Sequence, residues 1–342
     1  MKRIVAVIIA VVLVVTALVV LLVPEESDEL SSHIVVYVYD SFTAEWGPGP
    51  RIKEAFEEET GIEVRYESLG DSGQVLQRAA MEKEDPRADI LLGIDNNMLT
   101  KAKAEGILEP YKPKGAEDIP DHLIMDDEFY LSPFDYGYFS IIYDTEKIED
   151  PPSSLEDLTD PKYEESLILM DPRTSSPGLG FFLWTVKRYG EQFPDYWRRL
   201  SSSILTITEG WDAGYGLFTN GEAPLVLSYT TSPSYHVEFE DSDRYRAAVF
   251  DSGHYMQIEG LGLVQDAPHP EAAKLFIDFA LSEEFQSIIP LTNWMYPVNQ
   301  DIELPGSFDY APKPEKSLSF TSDEIEENRE QWLDTWRRTI TE

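Results

Sequence analysis

From residue 33 onward, short apolar runs rich in β-branched and aromatic residues alternate with longer amphipathic stretches. Residues 33–39 (HIVVYVY) read as a strand. Gly47-Pro48-Gly49-Pro50 breaks the chain, and RIKEAFEEET (51–60) reads as a helix closed by Gly61, since glycine enters the left-handed C-cap without a Cβ clash. Ile62, Val64 and Tyr66 alternate with Glu63, Arg65 and Glu67, the period of a strand with one buried face. A helix over 73–84 puts Val75, Leu76, Ala79 and Ala80 on one side; 88–94 is a short apolar strand, and 96–105 a further helix. Such strand–helix alternation predicts a parallel sheet flanked by helices.

The middle of the chain continues with more strands. FDYGYFSIIY (134–143) is a long strand with a glycine inside it. Strands are also predicted over 167–170, 205–208 and 224–229, and helices over 177–188 and 211–220. Residues 245–264 read mostly as strand, and 270–289 as one periodic helix. The tail over 321–340 is amphipathic, with Ile325, Trp332 and Trp336 on one face. No repeat or low-complexity tract interrupts this α/β body.

The N-terminus departs from the pattern. Lys2 and Arg3 precede an uncharged apolar run over 4–23, followed by Pro24 and Glu25-Glu26-Ser27-Asp28-Glu29. About twenty apolar residues span a bilayer as a helix, and the two cations hold its start in the cytoplasm. Residues 1–23 are therefore expected to be a membrane anchor, with a cleaved signal peptide as the rival, and 24–33 an acidic linker. No Ala-x-Ala cleavage pattern is visible.

Composition narrows the partners. With 64 acidic and 27 basic residues, the formal net charge is −37, a field that repels nucleic-acid phosphates. A solvated acidic surface explains most of that charge; a cationic ligand is compatible with it. The chain has no cysteine, so disulfides, thiolate metal sites and a cysteine nucleophile are excluded. The five histidines, His33, His122, His236, His254 and His269, show no metal-ligand spacing, and no metal is expected.

Two turns carry candidate chemistry. Gly70-Asp71-Ser72-Gly73 lies between a strand and a helix, so Asp71 or Ser72 reads as an N-cap. Asp171-Pro172-Arg173-Thr174-Ser175-Ser176-Pro177-Gly178 is a second strand-to-helix turn. In both, free N–H groups at a helix start suit an anion as well as a cap. Tyr39, Trp46, Trp211, Tyr229, Tyr235 and Trp294 fall at strand ends or predicted turns. Each alone suits packing; together, in an acidic chain, they suit an aromatic cage for an organic cation.

Eight segments in order resemble the thiamine-binding periplasmic proteins: VYVYDSFTAEWGPGP (36–50), ADILLGIDNN (88–97), PFDYGYFSIIYD (133–144), DPRTSSPGLG (171–180), TEGWDAGYGLF (208–218), LSYTTSPSYH (227–236), GHYMQIEG (253–260) and NWMYPVN (293–299). The resemblance implies a two-lobed type II periplasmic-binding-protein fold, with the ligand in the interlobe cleft. By analogy the strands near 134–143 and 255–264 cross between lobes, giving 34–132 with 260–300 as lobe 1 and 133–259 with 301–342 as lobe 2. It further implies that thiamine or its phosphates are the ligand, that no cofactor is needed, and that permease and ATPase subunits of an ABC importer are partners. Positions matching the family's pocket are Tyr39, Asp71, Ser72, Ser175, Trp211, Tyr229, Tyr235 and Trp294. Tyr235 and Trp294 are expected to enclose the thiazolium, and Tyr39 and Trp211 to flank the pyrimidine. Asp71, Ser72 and Ser175 are expected to meet the hydroxyl or phosphate end, and Trp46 to brace the mouth. The segment 69–73 differs locally from the family's usual loop.

Two rivals stand beside this reading. A polyamine or ferric ion on the same fold needs strings of carboxylates or converging tyrosinates, whereas indoles prefer a flat heteroaromatic ligand. A thiamine-degrading enzyme of this fold relies on a cysteine nucleophile, which this chain lacks.

Overall fold

The computed structural model describes residues 30–341, and every strand and helix among them belongs to the unit Ser32–Glu342. The strands are β1 (His33–Val38), β2 (Glu63–Ser68), β3 (Ile90–Asp95), β4 (Leu108–Glu109), β5 (Ser132–Asp144), β6 (Leu167–Met170), β7 (Ile204–Thr208), β8 (Leu225–Tyr229), β9 (Tyr245–Ala247), β10 (His254–Val264), β11 (Tyr296–Pro297) and β12 (Ser317–Leu318). The main path runs β2-β1-β3-β10-β5-β8-β6-β7.

β2, β1 and β3 are parallel to one another, and so are β7, β6 and β8. Between these halves stand β10 and β5, antiparallel to each other and to the half each one flanks. The sheet is therefore mixed, which corrects the purely parallel expectation. Apolar patterning reports burial, and β10 is buried along its whole length, but it carries no information about strand direction. β5 changes partners midway: Ser132–Tyr138 pairs with β10, and Phe139–Tyr143 with β8. The β10 register shifts on either side of Gly260. Bulges of this kind re-aim neighbouring side chains, and Glu259 sits at this one.

The helices are α1 (Asp40–Thr43), α2 (Gly49–Thr60), α3 (Ser72–Met81), α4 (Leu99–Glu105), α5 (Ser176–Tyr189), α6 (Phe193–Leu200), α7 (Trp211–Thr219), α8 (Ser232–Glu240), α9 (Pro270–Phe279), α10 (Glu283–Ile288) and α11 (Ser322–Thr341). Gly61 closes α2 at φ 73°, as its sequence position predicts. The single helix expected over 270–289 is two, because the Ser282 hydroxyl accepts from the Phe285 amide and starts α10 afresh. α6 and α8 were not anticipated: both are short, and their helicity is supplied by packing more than by intrinsic propensity.

α5 is buried from Ser176 through Val186, and Gly180 passes so close to the Phe139 ring that no Cβ fits there. Ile325 and Trp336 of α11 are buried, with Trp336 edge-on to Trp197 at 5.7 Å. Each such fully buried large side chain stabilises the fold by roughly 1.5–3 kcal/mol. A smaller cluster gathers Leu123, Phe129, Tyr136, Ile258, Trp294 and Phe308, so residues beyond 300 pack against segments on both sides of β5. Among the described residues no helix is long and apolar enough to cross a membrane. The anchor expected over 1–23 lies outside the described residues.

Candidate functional site

A cavity of about 510 Å³ opens where the ends of β1 and β8 and the middle of β10 meet the starts of α3, α5 and α7. Eight of the nine residues expected to form a site line it: Tyr39, Trp46, Asp71, Ser72, Trp211, Tyr229, Tyr235 and Trp294. Ser175 does not. It sits one residue behind the wall as the N-cap of α5, its hydroxyl accepting from the Gly178 amide at 3.3 Å, and Ser176 takes the lining position.

Asp71 is the N-cap of α3, and Gln74 completes a capping box with it. Its carboxylate does more than cap. Oδ1 accepts from the amides of Ser72 (2.7 Å) and Ser176 (3.1 Å), and Oδ2 from that of Trp211 (3.1 Å). Three helix starts, those of α3, α5 and α7, thus converge on one carboxylate. Each start carries unpaired N–H groups and the positive end of a helix dipole. Gly73 makes the convergence possible, since a Cβ there would collide with the Thr174 carbonyl. Burial pushes the Asp71 carboxyl up, and the amides of Ser176, Trp211 and Ser72 pull it back. These helix-start amides were expected to meet the ligand's hydroxyl or phosphate; here the side chain of Asp71 already takes them.

A second acidic corner is built differently. Glu259 on β10 lies directly opposite Asp135 on β5 in an antiparallel pair, and both are buried. The Tyr39 hydroxyl lies 3.1 Å from Glu259 Oε2 and 3.2 Å from Asn293 Oδ1. Asn293 Nδ2 donates to Asp135 Oδ2 at 2.6 Å. Gly93, at φ 90°, lets the Tyr39 ring lie against β3 where a Cβ would strike it. Burial first, and then mutual repulsion, push Glu259 well above the usual carboxylate range; burial does the same to Asp135. Behind them, Tyr229 donates to Gln257 Oε1 (2.6 Å), and Gln257 Nε2 donates to Asp95 Oδ2 (3.1 Å). Burial pushes Asp95 up to about 6.

The walls are aromatic. Trp211 stacks on Tyr215 at 4.8 Å, with Trp46 against it at 6.4 Å. Tyr235 meets Trp294 edge-on, at 5.4 Å and 87°. The two rings, expected to enclose the thiazolium, stand as a corner. Tyr235 lies within α8 instead of in a turn, so its direction is set by the helix. Trp294 takes φ 56°, a left-handed conformation uncommon for a bulky residue. The Tyr215 hydroxyl contacts His236 Nε2 at 2.9 Å, and His236 Nδ1 contacts Glu240 at 2.7 Å.

Among the lining residues missed from sequence, four carry chemistry close to the rings and the acidic corners: Glu259, Asn293, Tyr215 and His236. Glu259 had a legible signal, as the one acidic residue in the otherwise uncharged strand HYMQIEGLGLV. Asn293 adjoins Trp294 but offers nothing to separate it from any turn asparagine. The lining contains six carboxylates (Asp40, Asp71, Glu209, Asp212, Glu240 and Glu259) and no lysine or arginine. Among the described residues no cluster of three or more acidic, histidine or cysteine side chains is placed to hold a metal ion. Chemically, such a cavity favours a flat organic cation.

Comparison with known proteins points the same way. The family model described as bacterial extracellular solute-binding protein matches residues 85–328. The thiamine-binding periplasmic protein of Escherichia coli (strain K12) is 42% identical over 309 residues, covering 90% of this chain and 93% of that one. The thiamine-binding periplasmic protein of Haemophilus influenzae is 36% identical over 310 residues, 90% of this chain and 92% of its own. A solved periplasmic thiamin binding protein superposes with a TM-score of 0.86 at 42% identity, covering 90% of this chain and 96% of that structure. The ferric binding protein of Campylobacter jejuni superposes with a TM-score of 0.76 at 20% identity, over 90% of this chain and 99% of its own, a likeness of fold alone.

Proposed function

We propose that this chain, which belongs to the bacterial extracellular solute-binding proteins in the family of thiamine-binding periplasmic proteins, captures thiamine outside the cytoplasm and delivers it to an importer. The observation that carries the reading is the lining of the cleft: indole and phenol rings, six carboxylates, no lysine or arginine. Thiamine is flat, aromatic and cationic. An exposed aromatic face contributes about 0.5–1 kcal/mol to a cation, and about 2 when water is excluded. We take Tyr235 and Trp294 as the corner that receives the thiazolium, Tyr39, Trp211 and Tyr229 as the flank of the pyrimidine, and Trp46 as a brace at the mouth. Asp71 and Ser72, with Ser175 behind them, form the end wall toward the hydroxyethyl tail.

The type II fold is two-lobed, and hinge closure on the ligand arises from differential affinity for the closed state. We assign the hinge to β5 and β10, with 34–132 and 260–300 in one lobe and 133–259 and 301–342 in the other. Permease and ATPase subunits of an ABC importer are the partners this role requires. The apolar run over 4–23 serves as the membrane tether. The role is binding, without chemistry on the vitamin.

The test is calorimetric titration of the full chain with thiamine, its monophosphate, its diphosphate and spermidine. Saturable thiamine binding with spermidine inert supports the reading; a folded protein that ignores all three thiamine forms overturns it. The carboxylate of Asp71 at the three helix starts leads us to expect unphosphorylated thiamine to bind at least as tightly as the diphosphate, because like charges repel there.

A further inference from the structure

We propose that Glu259, backed by Asp135, is the counter-charge for the bound cationic ligand, and that seating the ligand drives a proton off the pair. The inference rests on the thiamine reading and deepens it. Of the carboxylates lining the cavity, only Asp71 and Glu259 are buried. Asp71 is already engaged by three helix-start amides. The others are occupied or at the rim: Asp40 accepts from the Gly70 amide, Glu209 from Gln74, and Glu240 meets His236.

Glu259 has no such compensation. Its contacts are the Tyr39 hydroxyl, which Asn293 also claims, and the facing Asp135. Facing side chains in an antiparallel pair sit about 5 Å apart at Cβ, close enough for two charges to repel strongly in a buried site. Asp135 Oδ1 is buried with no hydrogen-bond partner among the described residues, a costly state for a charged carboxylate. Two such carboxyls cannot both ionise at neutral pH unless a cation joins them. Other titratable groups face the pair: Tyr39 at the end of β1, Asp71 at the start of α3, Asp95 on β3 and Tyr229 on β8. All are neutral or anionic, so none supplies the missing charge. His236 also lines the cavity, with both ring nitrogens engaged and its affinity for a proton lowered by burial.

A cation stabilises the deprotonated pair, so binding releases a proton, and affinity rises with pH through the pair's titration, by up to about tenfold per pH unit. Thiamine titrations of the full chain in buffers of different ionisation enthalpy, between about pH 5 and 8, count the protons. The expected result is net release of about one proton in that window. Glu259→Gln is expected to weaken thiamine at least about tenfold and to abolish the release. Asp135→Asn is expected to move the rise in affinity to lower pH, since the repelling partner is gone. An uncharged thiophene analogue of thiamine is expected to bind wild type and Glu259→Gln alike, which also shows the variant folded. Release that persists in Glu259→Gln and vanishes in His236→Gln would assign the proton to the histidine and overturn the inference. Thiamine bound without proton release overturns it too, leaving the thiamine reading intact. So does proton uptake, the signature of a protonated Glu259 donating to the pyrimidine. Failure of wild type to bind thiamine at all defeats both.

Discussion

Two acidic corners line the cleft, both buried and both pushed up by burial, yet what offsets that burial differs between them. Asp71 meets three backbone amides at the starts of α3, α5 and α7. Glu259 and Asp135 meet one hydroxyl, one amide and each other. The first carboxylate ties three elements together through amides that offset its burial; the second pair has little to offset its burial, which is what our proposal builds on. What separates them is where helices begin, since a helix start supplies donors and a favourable dipole while two neighbouring strands supply neither.

The comparison breaks most readily at Asp71. Asp71→Ala strips the shared anion from three helix starts and is expected to destabilise the protein by about 2–4 kcal/mol, by analogy with lost caps and stranded buried donors. Urea unfolding reads this; a loss below about 1 kcal/mol would mean that the convergence is not structural.

Trp294→Ala tests the ring beside the other corner and is expected to weaken thiamine about tenfold or more, corresponding to roughly 1–2 kcal/mol of a desolvated cation–π face. Unchanged affinity in calorimetry would remove Trp294 from the site.

Asp135→Asn probes the pair through stability. A carboxyl whose affinity for protons rises on folding binds more protons in the native state, so its contribution is favourable in acid and is lost as pH rises through the folded titration. The variant escapes that loss. Its ligand-free melting temperature is expected to exceed wild type at pH 8, with the gap closing toward pH 5, by about 1 kcal/mol at most. A gap that widens in acid contradicts the sign. The smallest effect belongs to Trp46→Ala. This ring is 43% exposed and leans on Trp211, so thiamine affinity is expected to change less than about threefold.

Much of this was legible in residue order. The parallel β2-β1-β3 half follows from alternation of strand and helix, the Gly61 cap from glycine's freedom, and the α11 face from the spacing of Ile325 and Trp336. Eight lining residues were legible because aromatics gathered at element ends of an acidic chain suit a cage, and because eight matching segments carried the family's pocket onto these positions. The break at Ser282 was less legible, since a serine N-cap inside a periodic run looks like one more polar position.

Local physics, then, settled what most segments become, α6 and α8 excepted: residue period and caps act over a few neighbours, and sequence records those neighbours. Tertiary structure alone decided three things. It turned β5 and β10 antiparallel between two parallel halves, set Glu259 opposite Asp135 across 124 residues of chain, and drew three helix starts onto Asp71. A carboxylate's charge state depends on the donors and charges within a few ångströms of it, and chain order does not say which distant residues those are until the sheet has closed.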